Sequence, residues 1–111
     1  RAKQEDEANQ LIEDAKLLEK TGCFALVLEK IPAQLAEKVA KAIKIPVIGI
    51  GAGNGVDGQV LVSHDMLGIN NDFNPRFLRK YHNLYKEMTG AFQEYITDVR
   101  RGDFPNEKEQ Y

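Results

Sequence analysis

Phe24-Ala-Leu-Val-Leu-Glu29-Lys-Ile-Pro32, followed by a short amphipathic stretch and then Ile45-Pro-Val-Ile-Gly-Ile-Gly-Ala-Gly53, decides the fold of this chain. Phe24 to Leu28 is apolar without alternation, the pattern of a strand buried on both faces, and this predicts a parallel sheet. Pro46 to Ile50 is again short and uncharged, and it ends in glycines. Between the two runs Leu35, Ala36, Val39, Ala40 and Ile43 recur at three and four residues behind Pro32, so a helix is predicted from the proline to about Ile43. Strand, helix, strand is a βαβ unit. In parallel α/β proteins ligands bind at the C-terminal ends of the strands, where this sequence puts a carboxylate and a glycine loop.

Upstream, Ala8, Leu11, Ile12, Ala15 and Leu18 form one apolar stripe among acids and lysines, predicting a surface helix over residues 5–20 that Thr21-Gly22 ends. Downstream of the loop Gly51 to Gly58, Gln59-Val-Leu-Val62 is a third predicted strand, running into Ser63-His64-Asp65. Asn70-Asn-Asp72 marks a loop. Arg76 to Tyr85 has a helical pattern, and Met88, Phe92, Tyr95, Ile96 and Val99 form the stripe of a final helix closed by Arg100-Arg101-Gly102. The segment Pro105 to Tyr111 is charged and reads as a loose tail.

With 111 residues, 42% of them hydrophobic, the chain suffices for one modest domain and not for two. Seventeen acids against fifteen bases give no argument for a nucleic-acid surface or an anionic membrane as partner. The apolar runs fall far short of the ~20 residues that cross a bilayer. The single cysteine, Cys23, has no internal disulfide partner, which fits a reducing compartment, and its place before an apolar run reads as a small buried residue rather than a nucleophile. A (β/α)₈ barrel takes roughly 31 residues per unit, so the chain holds about three and a half units: nearly half a barrel, or a small open sheet. The half-barrel leaves strand edges that invite association.

Glu29 projects at the mouth of a buried strand, where a carboxylate can serve as a general base; the plainer alternative is a solvated side chain or one paired with Lys30. Gly53-Asn-Gly55-Val-Asp-Gly58 satisfies the G-x-G-x-x-G spacing, but it leads into a strand pattern, whereas a dinucleotide fingerprint must open a helix. The glycines therefore read as a tight turn or a ligand-facing loop. His64-Asp65 could serve a proton relay or a metal, yet no third ligand stands at a suitable spacing, and a hydrogen-bonded pair capping the next turn is the simpler reading. Phe73, Phe77, Tyr81, Tyr85, Phe92 and Tyr95 fall at helical spacings that indicate packing rather than a base-stacking platform. His82 lies among charged helix residues and reads as solvated.

Three blocks, Leu26-Val-Leu-Glu29-Lys-Ile-Pro32, Ile45-Pro-Val-Ile-Gly-Ile-Gly-Ala-Gly53 and Asp57-Gly-Gln-Val-Leu-Val62-Ser-His64-Asp65-Met-Leu-Gly68, closely resemble the ketopantoate hydroxymethyltransferase family, in its order and spacing. The resemblance runs through essentially the whole chain. It implies an α/β fold that is the C-terminal part of a (β/α)₈ TIM barrel of the phosphoenolpyruvate/pyruvate superfamily, with residues 1–104 forming the last βα units and 105–111 a flexible tail. The chain carries no initiator Met and opens on a helical pattern, so a piece of a longer protein is expected.

The implied reaction moves a hydroxymethyl group from 5,10-methylenetetrahydrofolate to 3-methyl-2-oxobutanoate, giving ketopantoate for pantothenate biosynthesis. Glu29 stands where the family's strand-end glutamate takes the C3 proton, and Ile50 and Val62 stand where strand ends line the keto-acid pocket. The resemblance further implies Mg²⁺ held by carboxylates outside this chain, a cytoplasmic homo-oligomer that is commonly a decamer, and neither nucleic acid nor membrane as partner. Lys30 departs from the pattern, which has a small or apolar residue after the glutamate. Two other readings compete: a non-catalytic segment of oligomer assembly, and another keto-acid lyase of the same superfamily. On the first resemblance the isolated segment is expected to be inactive.

Overall fold

A computed structural model describes residues 4–111; residues 1–3 of the expected 1–104 unit lie outside the described residues. In order the elements are α1 (Glu5–Lys20), β1 (Leu26–Glu29), α2 (Ala33–Ala42), β2 (Val47–Ile50), β3 (Gly58–Gln59), α3 (Ser63–Met66) and α4 (Leu84–Arg101). The chain divides into two compact units, one formed by the residues up to Leu61 with Pro75–Leu78, the other by Val62–Asn74 and Arg79–Tyr111. Among the described residues no helix is long and apolar enough to cross a membrane.

In the first unit the three strands pair in parallel in the order β1-β2-β3, so this is a mixed α/β unit around a parallel sheet. Helix α1 carries Glu5, Asp6 and Glu7 in its first turn, where carboxylates complement the helix dipole. Its buried Ala15 joins Leu35, Ala36 and Val39 of α2, Ile43 beyond it, and Leu28 and Val47 of the sheet in one apolar cluster. The Glu19 carboxylate at the end of α1 accepts hydrogen bonds from the backbone N–H groups of Lys44 and Ile45, tying the entry to β2 onto the helix. Pro32 sits at the N-cap of α2, one position before the first helical residue, where its missing N–H leaves no donor unsatisfied.

Only one sheet face is covered, which corrects the reading of a strand buried on both sides. Leu28 is 6% exposed, while its neighbour Val27 is 63% exposed and Phe24, outside the strand, 89%. An uninterrupted apolar run records that both faces are apolar; it cannot record that one is open here. The third strand is also shorter and earlier than predicted, Gly58–Gln59 rather than residues 59–62. Beyond Val60, whose N–H still donates to the Gly49 carbonyl at 3.0 Å, the chain bends into α3, which was not anticipated.

The helix predicted from Arg76 to Tyr85, a stretch that begins in the first unit and passes into the second at Arg79, is absent. Arg76 and Phe77 form a turn, and Leu84 begins α4. The N–H groups of Tyr81, Leu84 and Tyr85 donate to the carbonyls of Met66, Leu67 and Gly68, so the residues around α3 take the donors a continuous helix would need. Helix α4 follows its predicted stripe, with Asn83 accepting from the Lys86 N–H at its start and Gly102 closing it. Its aromatic residues do not form the expected core: Phe92 is 63% and Tyr95 55% exposed, although Tyr95 meets the Phe104 ring edge-on at 5.5 Å. Nothing else in this unit is long enough to face α4, since α3 is only four residues. Within the tail the Asn106 side chain accepts from the Lys108 N–H at 2.8 Å.

Candidate functional site

Glu29 is the last residue of β1, and its partner across the parallel ladder is Ile50, the last residue of β2. Side chains alternate faces along a strand, and Leu28 lies buried toward the helices. Glu29, on the opposite parity, is exposed on the open face at the C-terminal edge, with Ile50 beside it. The Lys30 N–H donates to the Ile50 carbonyl at 2.9 Å, one bond beyond the ladder. There the chain turns sharply, because Lys30 adopts φ 53, a left-handed conformation that non-glycine residues rarely take and that needs surrounding structure to hold it.

The glycine loop after β2 is packed too closely to carry side chains. Gly51, at φ 64, lies against the Phe77 ring, and a Cβ there would come within 3.1 Å of it. Gly53, at φ 77, faces the start of α2, where an added Cβ would meet the Ala33 Cβ at 2.5 Å. The Gln59 side-chain amide donates to the Gly53 carbonyl at 2.8 Å and fixes the loop from its other side. The glycines thus lead into β3 rather than a helix, in agreement with the rejection of a dinucleotide fingerprint.

A shallow cleft of about 500 Å³ opens at this end of the sheet, walled by residues 30–32 after β1, Gly51 after β2 and residues 75–77. Its polar side chains are both cationic, Lys30 and Arg76, and its apolar walls include Pro32 and Phe77. Sequence reasoning missed Arg76 and Phe77 as site residues because it placed them in a helix. The usable signal was Pro75, which favours a turn at this point, and the Leu78 N–H does donate to the Pro75 carbonyl at 3.0 Å.

The structure thus brings Glu29 and Ile50 together. Val62 is the exposed N-cap residue of α3 and belongs to the second unit. His64 and Asp65 lie within α3, which has no side-chain cap, so the expected capping pair does not form. His82 is 3.1 Å from the Glu87 carboxylate rather than merely solvated. Among the described residues no group of three or more His, Cys, Asp or Glu side chains is placed to hold a metal ion.

Comparison with known proteins adds the decisive context. The family model described as ketopantoate hydroxymethyltransferase matches residues 1–107. Proteins named 3-methyl-2-oxobutanoate hydroxymethyltransferase are similar over all 111 residues: 69% identical in Flavobacterium johnsoniae, 68% in Phocaeicola vulgatus and 71% in Parabacteroides distasonis. In each case the match takes in 100% of this chain and 41% of the relative, so the chain spans about two fifths of their length.

Proposed function

This chain belongs to the ketopantoate hydroxymethyltransferase family, and from that premise we propose that the whole protein transfers a hydroxymethyl group from 5,10-methylenetetrahydrofolate to 3-methyl-2-oxobutanoate, forming ketopantoate. In this reading residues 1–104 are the last βα units of a (β/α)₈ barrel and the open sheet face of the first unit looks into its interior. The observation that carries it is a carboxylate, Glu29, at the C-terminal edge of a parallel sheet, side by side with an apolar Ile50.

The chemistry asks for these two roles. A base takes the proton from C3 of the keto acid, and the resulting enolate carbon bonds to the methylene carbon as one of its C–N bonds to the folate breaks; water replaces the other folate nitrogen, supplying the hydroxyl oxygen, and tetrahydrofolate leaves with the two protons released. Glu29 is the base, with Ile50 and Val62 lining the pocket for the branched carbon chain. When bound, Mg²⁺ would stabilise the enolate charge. The protein is cytoplasmic and homo-oligomeric, as a biosynthetic enzyme of this kind is expected to be. An assay of the whole protein for ketopantoate, with both substrates present, tests the reading; absence of product, or cleavage of a keto acid instead, would replace it.

A further inference from the structure

The cleft beside Glu29 is unlike the rest of the surface in charge. The chain as a whole carries seventeen acids and fifteen bases, yet the cleft is walled by two cations and no carboxylate. Both Lys30 and Arg76 are exposed, so an arriving ligand need not displace them from a buried setting. The Phe77 ring lines the same cleft and packs on Gly51, where a Cβ would come within 3.1 Å of it. The position of Lys30 is set by backbone rather than chance: its left-handed conformation, held by the bond to the Ile50 carbonyl, makes it a wall of the cleft instead of a continuation of β1. Two cations and an aromatic ring lining one cleft suit a ligand that joins a flat ring to carboxylates, which Lys meets as a point charge and Arg as a fork of donors.

We infer that this cleft receives the p-aminobenzoylglutamate end of the folate cosubstrate, its ring against Phe77 and its glutamyl carboxylates toward Lys30 and Arg76. This rests on the proposed reaction, because that reaction places the folate's one-carbon unit next to the carbon that Glu29 deprotonates, and the cleft begins at the very next residue. Lys30 then becomes a residue that tunes recognition of the tail.

The test is calorimetric titration of the whole protein with tetrahydrofolate and with tetrahydropteroate, which lacks the glutamate. Lys30→Gln and Arg76→Gln should each weaken tetrahydrofolate binding about ten-fold, the lower range for an exposed charge-assisted contact, and leave tetrahydropteroate within two-fold of wild type. Arg76→Lys, which keeps the charge, should restore part of the loss. Unchanged tetrahydrofolate affinity, or equal loss for both ligands, would overturn the inference while ketopantoate formation by the wild type left the reaction standing. Wild-type protein that made no ketopantoate would overturn the reaction itself, and this inference with it.

Discussion

Asp57 and Val47 hold each other at the start of β2: the Val47 N–H donates to the Asp57 carboxylate at 2.8 Å, and the Asp57 N–H donates to the Val47 carbonyl at 2.9 Å. Val47 is fully buried, so its N–H has no ready substitute for that acceptor. Asp57→Ala should therefore lower stability by about 1–2 kcal/mol, read as a shift of the denaturant midpoint. Asp57→Asn, which keeps an acceptor oxygen, should lose less.

Gly53 offers a second test of the same loop. Gly53→Ala combines a left-handed backbone with a methyl driven into Ala33, and about 1–3 kcal/mol of destabilisation is expected. The double variant with Ala33→Gly should recover part of the steric cost, since the residue-33 Cα stays 3.1 Å from the added methyl, and leave the backbone part. A midpoint equal to wild type for the single variant would show that the loop shifts freely.

For catalysis, Glu29→Gln in the whole protein should reduce turnover by about 10²- to 10⁴-fold, the usual contribution of a general base. Gln keeps the size and one acceptor but cannot take up the C3 proton. Exchange of that proton with deuterated solvent, measured without folate, isolates the step. Exchange at the wild-type rate would remove Glu29 from the base role and leave it a positioning group.

Association is the fourth expectation. The 111-residue chain on its own exposes Val27 and Phe24 by the sheet and Phe92, Tyr95, Ile96 and Val99 along α4. Apolar surface of this extent favours self-association in water. Light scattering should find species heavier than a monomer, and a monodisperse particle of monomer mass would contradict this.

The βαβ unit and the place of Glu29 at its strand end were legible because local signals agreed: an apolar run, a proline at the helix entrance, and glycines that only a tight loop would need. What could not be read depends on partners distant in sequence. That Glu29 pairs with Ile50 follows from strand register, which a sequence states only through the faces it buries. Residues 76–85 carry a helical spacing, but the carbonyls of Met66, Leu67 and Gly68 take the N–H groups of Tyr81, Leu84 and Tyr85. The cleft then draws Arg76 and Phe77 to a loop nearly fifty residues after Lys30 begins it.

The grip of Glu19 on the N–H groups of Lys44 and Ile45 bears on how this sequence can change over time. With Asp57 holding Val47 from the other side, the stretch from the end of α2 into β2 is clamped at both ends. One residue gained or lost there would slide β2 by a step and exchange the side chains presented on its two faces, taking Ile50 away from Glu29. Length variation is therefore barred from this connection, however mild each substitution within it, and must be accommodated at turns that carry no such double hold.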